Sequence, residues 1–211
     1  MKKKTDNLDN RIYVLGTGFV ELVDHMGDDE RIVEAARISY EARSVEDAMK
    51  FVSQLWHSGH TSPFEQVVLT FRIKAPIFVA RQMMRHRTAR VNELSLRYTK
   101  SKLEFYIPQG DRLGDYPDSA KKCIDAAYSQ AKSCYQTLLA SGVRYEVARC
   151  VLPVSTFTEF FWQMDLHNLL HFLTLRCAKS AQWETWEYAK AIEKLAATVA
   201  PAALAAWEAG I

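Results

Sequence analysis

The chain has 211 residues, 48% hydrophobic and 25% charged, which is the make-up of one ordinary globular domain with a continuous core and excludes a disordered or fibrous protein. A formal net charge of +2 exerts no overall pull toward nucleic acid or membrane, so any anion binding has to be local. The basic start Met1-Lys2-Lys3-Lys4 has no apolar stretch behind it, and the small-apolar stretch Leu195 to Trp207 is interrupted by Thr198 and Pro201; neither a secretory signal nor a bilayer span is present, and a cytoplasmic protein is expected.

Residues 1–11 read as a polar leader, and 12–211 as the folded domain. Phe19 to Val23 reads as a short strand, and Asp29 to Tyr40 as a helix with Ile32, Ala35, Ala36 and Ser39 at helical spacing. Val45 to His57 is a second helix with Ala48, Phe51, Val52 and Leu55 as its buried stripe, ended by Gly59. Gln66 to Lys74 alternates most clearly: Val67, Leu69, Phe71 and Ile73 share one face of a strand. Pro76 suits the first turn of a helix, predicted over Ile77 to Arg87.

After a loop from Pro108 to Pro117 comes a long amphipathic helix, Ser119 to Ala140, closed by Gly142, then a shorter helix to Leu152 broken by Pro153. Val154 to Met164 reads as a strand, and Leu166 to Arg176 and Gln182 to Val199 as helices. Strands and helices mixed without strict alternation predict an α+β fold: one domain with a central, largely antiparallel sheet flanked by helices. Cys123, Cys134, Cys150 and Cys177 lie far apart without redox or zinc spacing, and read as free or buried thiols.

The run Arg85-His86-Arg87-Thr88-Ala89-Arg90-Val91-Asn92-Glu93-Leu94-Ser95-Leu96-Arg97-Tyr98 concentrates charge that the rest of the chain balances. Between Arg81 and Arg97 stand five arginines and one acidic residue, Glu93. Arginine grips phosphate or carboxylate through paired planar donors, and the hydroxyl, amide and carboxylate between them suit a polar heterocycle. This chemistry fits a nucleotide site; a solvated basic face, or a surface that tracks nucleic-acid phosphates, is the competing reading.

Arg85-His86-Arg87, seven residues, then Ser95, continued by Asn92-Glu93-x-Ser95-x-Arg97-Tyr98, resembles the signature of flavin-dependent thymidylate synthases. Segments in the same order as in that family carry the resemblance across roughly residues 16 to 190. They are His57 to Glu65, Lys74 to Gln82, Glu146 to Arg149 with Leu152-Pro153, and Phe172 to Arg176 with Ala181-Gln182-Trp183-Glu184. The resemblance implies reductive methylation of dUMP to dTMP, with 5,10-methylenetetrahydrofolate as carbon donor and NADPH-reduced FAD as hydride source, in a homotetramer whose sites are shared between subunits. It needs no nucleophilic cysteine, no metal, no nucleic acid and no membrane.

Residue by residue, the resemblance implies that Arg176 hydrogen-bonds the uracil ring and stabilises charge developing there, which makes it the catalytic candidate. It implies FAD contacts at Ser62, Arg85, His86, Arg87, Glu93, Asp165, Leu166, His167 and His171. It implies dUMP contacts at Gln82, Arg85, Glu93, Leu94, Ser95, Leu96, Arg97, Arg149 and Arg176, with Ser95 and Arg97 on the phosphate. Family members commonly carry asparagine and arginine where this chain has Asp165 and His167, serine and an aromatic where it has Arg90 and Val91, and glycine where it has Leu96.

The residues alone leave other readings. Arg176 ends an apolar stripe of Leu169, Phe172 and Leu173, where an ordinary ion pair is expected. Arg149 is predicted to share a helix face with Tyr145 and Leu152, and so could lie over apolar surface. The pairs His57/His60 and His167/His171 suggest metal only superficially, since a helical pair lacks a third ligand. Gly16-Thr17-Gly18 lacks the third glycine of a dinucleotide fingerprint, so a flavin has to be held in another way.

Overall fold

The computed structural model describes residues 10–38, 48–97 and 103–210. The predicted positions Ser39, Tyr40, Val45 and Tyr98, and the leader up to residue 9, lie outside these. Among the described residues the chain forms β1 (Arg11–Val14), β2 (Gly18–Met26), α1 (Asp29–Arg37), α2 (Ala48–His57), β3 (Val68–Pro76) and α3 (Ile77–Met83). There follow β4 (Arg90–Glu93), α4 (Pro117–Ala140), α5 (Tyr145–Ala148), β5 (Phe157–Asp165), α6 (Leu166–Arg176), α7 (Trp183–Ala196) and α8 (Pro201–Glu208).

The five strands make one antiparallel sheet in the order β1-β2-β3-β5-β4, the expected α+β architecture. Its centre is the β3–β5 pair, in register from Val68 opposite Asp165 to Pro76 opposite Phe157. Alternation puts Leu69, Phe71, Ile73 and Ala75, with Phe160, Trp162 and Met164, on one buried face. There Phe71, Trp162 and Phe172 of α6 pack as a ring cluster, the Trp162 and Phe172 centroids 5.0 Å apart. The opposite face is charged: Arg11 pairs with Glu21 at 2.9 Å, and Arg72 pairs with Glu159 at 2.5 Å.

Several boundaries differ from the sequence reading. The leader ends earlier than expected, because Arg11 already pairs with Glu21 in β1. β2 runs on to Met26, past a bulge between Leu22 and Asp24 that alternation alone conceals. α3 stops at Met83 instead of Arg87, so Arg85 to Arg87 leave the helix altogether. Pro76 is the last strand residue and the cap of α3, outside its first turn. The short helix predicted to Leu152 is one turn, Tyr145–Ala148, followed by a 3-10 turn Arg149–Val151. β5 begins at Phe157, because Thr156 closes a turn onto the Pro153 carbonyl. The basic run contributes an edge strand, β4, against β5, and Pro201 opens a further helix, α8. Among the described residues no helix is long and apolar enough to cross a membrane.

The start of α8 is tied down from a distance. Asp29, at the start of α1, accepts from the backbone N–H groups of Ala202 (2.7 Å) and Ala203 (3.0 Å), donors that the first turn of a helix otherwise leaves unmet. Asp29→Ala should therefore lower unfolding free energy by about 1–2 kcal/mol in urea melts, with secondary structure retained below the transition; an unchanged midpoint would count against this tie.

Candidate active site

Arg176 closes α6, and its guanidinium reaches the C-terminal end of α3. Nε donates to His86 Nε2 at 3.2 Å and Nη2 to the Gln82 carbonyl at 3.4 Å. That carbonyl belongs to the last turn of α3, where carbonyls lack helical partners and the helix dipole is negative. Among the described residues the half-buried cation is thus held without a carboxylate, where an ordinary ion pair was expected. The apolar stripe behind it is as the sequence predicts: Leu169, Phe172 and Leu173 are all buried.

Because Nε2 of His86 accepts from Arg176, the neutral ring carries its proton on Nδ1. The ring stands edge-on to Phe172, centroids 4.9 Å apart, with His171 at 6.1 Å. Burial, and then the charges of Arg176 and His171, depress its pKa from 6.5 to about 4. Since the folded pKa is depressed, the unfolded chain takes up this proton first. The His86 contribution to stability is therefore complete above pH 6.5 and is lost as pH falls toward 4. The difference in urea stability between the native chain and His86→Phe should shrink progressively from pH 7 to pH 4.5; a difference that stays constant would show that the ring titrates normally.

Gln82 belongs to the same junction. Its side chain turns to the start of α7: its Nε2 donates to Gln182 Oε1, and its Oε1 accepts from Thr185 Oγ1 at 3.0 Å. Gln182 Nε2 donates to Glu184 at 2.9 Å. Glu184 also accepts from Tyr106 at 3.1 Å and Arg112 at 3.2 Å. Sequence reasoning assigned no role to Gln182, Glu184 or Thr185. The Ala181-Gln182-Trp183-Glu184 segment carried the resemblance, but nothing local reveals that Glu184 is buried.

A second group lines a cleft of about 160 Å³ between β4 and the turn after α5, where Glu93, Leu94, Leu96 and Arg149 meet Phe157 and Thr158. Thr158 donates to Glu93 at 2.7 Å, and Leu94 N–H to the Glu159 carbonyl at 2.8 Å, which fixes this edge. Arg149 lies beyond the single turn of α5, and Leu152 is already extended, so the predicted shared helix face with Tyr145 and Leu152 does not form. Arg97 lies next to this cleft, donating to Glu146 at 3.2 Å, while Ser95 Oγ accepts from the Arg97 N–H. Leucine at 96 costs no backbone strain: among described non-glycine residues, Leu15 alone has positive φ.

The third group surrounds the start of α6. Asp165 caps the helix, accepting from Asn168 N–H at 2.9 Å, and His167 Nδ1 lies 3.7 Å from Glu65. Ser62 opens the neighbouring 3-10 turn, beside an open hollow toward α1. Leu166 is fully buried and its N–H bonds the Val67 carbonyl, so its side chain belongs to the core. His171 is exposed midway along α6, and eleven helical residues separate the two ends of that helix by roughly 16 Å.

Arg85, Arg87, Arg90 and Arg149 are exposed, and among the described residues they form no ion pair. Four guanidinium groups without an internal counter-ion fit phosphate-bearing ligands, including the diphosphate of a dinucleotide.

The family profile described as "Thymidylate synthase complementing protein" matches residues 21–202. The chain belongs to this family. Its relatives include the flavin-dependent thymidylate synthase of Thermus thermophilus, 47% identical over 93% of this chain and 78% of the relative. That of Treponema pallidum is 42% identical over 96% and 73%. Among solved structures, the UMP/dUMP methylase PolB from Streptomyces cacaoi bound with 5-Br dUMP superposes with a TM-score of 0.86 at 34% identity, covering 94% of this chain and 97% of that one. The matched residues of this thymidylate synthase complementing family member run from β2 to α8, so all three residue groups lie within the family domain.

Proposed function

We propose that this chain is a flavin-dependent thymidylate synthase that methylates dUMP to dTMP, taking the carbon from 5,10-methylenetetrahydrofolate and the reducing equivalents from NADPH through FAD. The observation that carries the reading is the Arg176 guanidinium, held among the described residues by a helix C-terminal carbonyl and a neutral histidine in place of a carboxylate. A cation whose charge is not cancelled by a neighbouring anion can stabilise negative charge developing on a uracil ring.

In this reading Arg176 orients and polarises the pyrimidine, Gln82 offers its remaining amide N–H and lone pair, and Glu93, Leu94, Leu96 and Arg149 form one wall around the nucleotide. Arg97 and Ser95 hold the phosphate, for which Arg97 exchanges its bond to Glu146. Arg85, His86, Arg87, Glu93, Ser62, His167 and His171 are the groups for FAD, which when bound supplies the redox chemistry. Asp165 serves as a helix cap, and Leu166 packs beneath the site.

The cleft of about 160 Å³ is smaller than the several hundred Å³ of an ordinary small-molecule site. The three groups also stand at separate places along one chain. Both facts support a homotetramer in which neighbouring subunits complete each site; a sedimentation mass equal to one chain would remove that part. Free thiols at all four cysteines suit a reducing, cytoplasmic setting.

The purified protein supplied with FAD, NADPH, methylenetetrahydrofolate and dUMP should form dTMP, and absence of both a flavin absorption band and dTMP would overturn the reading. Arg176→Ala should reduce dTMP formation by at least about 100-fold while the flavin band persists, whereas near-normal turnover would remove Arg176 from its role.

A further inference from the structure

One carboxylate outside the assigned site determines how a residue inside it is oriented. Glu184 is 4% exposed, at the start of α7, and accepts from Tyr106, Arg112 and Gln182. Burial pushes its pKa up, but its own backbone N–H, the Gln182 amide, Arg112 and Tyr106 outweigh this and hold it below the ordinary value. It is a carboxylate at neutral pH, and so an acceptor only.

That restriction propagates. Since Glu184 can only accept, Gln182 has to face it with Nε2, which turns Oε1 of Gln182 toward Gln82. Gln82 then has to present its own Nε2, which leaves its Oε1 for the Thr185 hydroxyl. The two amides have no alternative arrangement that keeps every bond.

We infer that Glu184 and Gln182 are positioning residues that set the donor and acceptor ends of the Gln82 amide toward dUMP. The inference rests on the proposed function, and goes beyond it in naming groups that touch no substrate. Gln82 retains one N–H and one lone pair after these bonds, and their places exchange if the amide turns over. The same residue accepts from Arg176 through its carbonyl, so the relay ends beside the catalytic candidate.

The test uses amide polarity. In Glu184→Gln the donors Tyr106 and Arg112 draw the new amide oxygen, so its NH₂ faces Gln182. Both glutamines then reverse, and Thr185 accepts where it donated. The double variant Gln182→Glu with Glu184→Gln puts an acceptor-only group at 182 and restores the native Gln82 orientation. Both variants lose the Arg112–Glu184 ion pair, so a purely structural role lowers them alike.

The expected result is a fall in kcat/KM for dUMP of about 10- to 100-fold in Glu184→Gln with flavin absorbance retained. The double variant should recover to within roughly threefold of the native chain. No fall in the single variant, or equal losses in both, would overturn the relay. If Glu184→Gln does not fold, Gln182→Met at an exposed position cuts the relay without touching the buried carboxylate. A loss of about tenfold with flavin retained supports the relay, and unchanged kinetics reject it. The dUMP dissociation constant, measured by calorimetry on the same proteins, tests the relay if the native chain binds dUMP without turning it over. A native chain that neither binds dUMP nor forms dTMP removes the functional reading, and the relay with it.

Discussion

The fold hangs on the nine-residue antiparallel pairing of β3 with β5 and on the fact that both strands pass into helices without a loop. Pro76 is the last residue of β3 and caps α3; Asp165 is the last residue of β5 and caps α6. Because the strands run in opposite directions, the two helices leave from opposite ends of the pair. Each then folds over the same buried face, and the C-terminal end of α6 meets the C-terminal end of α3. The site is a consequence of that meeting: Arg176 finds the orphan carbonyl of Gln82 and the ring of His86.

Burying the cation this way has electrostatic consequences for its neighbours. The guanidinium sits where two helix dipoles are negative, which stabilises it without neutralising it. Its charge, added to burial, keeps His86 neutral, so the histidine can accept the Arg176 Nε–H. A carboxylate at His86 would hold the arginine more tightly and cancel the charge that a polarised pyrimidine requires. The acidic group of this region, Glu184, is displaced to the far side of Gln182 and Gln82, where it orients amides and is neutralised by Arg112.

Legibility in the sequence followed the range of the interactions. The β3 face from Leu69 to Ile73 and the α6 stripe ahead of Arg176 were readable because burial is imposed with the period of the element itself. The end of α3 was not readable: nothing in Met83-Met84-Arg85 signals a stop, and the helix ends because the chain turns to pair Arg90–Glu93 with β5. Likewise Arg149 looked like part of a longer helix, but α5 ends at Ala148, a 3-10 turn follows, and Leu152 is extended ahead of Pro153. Leu166, directly after β5, is fully buried, which the sequence position alone did not reveal.

By itself, the sequence determined the α+β class, the faces of the central elements and, through the spacing of Arg85, His86, Arg87, Ser95 and Arg97, the family. Those features are local or periodic, and need no knowledge of which segments meet. Only the tertiary structure decided what each charged group faces. It gave Arg176 a carbonyl and a neutral imidazole, Arg97 a glutamate, Asp165 a helix end, and Gln82 the far end of a chain of amides starting at Glu184. Hydrogen-bond partners separated by about a hundred residues, such as Gln82 with Gln182 and Thr185, are selected by the packing of α3 against α7, and no spacing in the sequence encodes them.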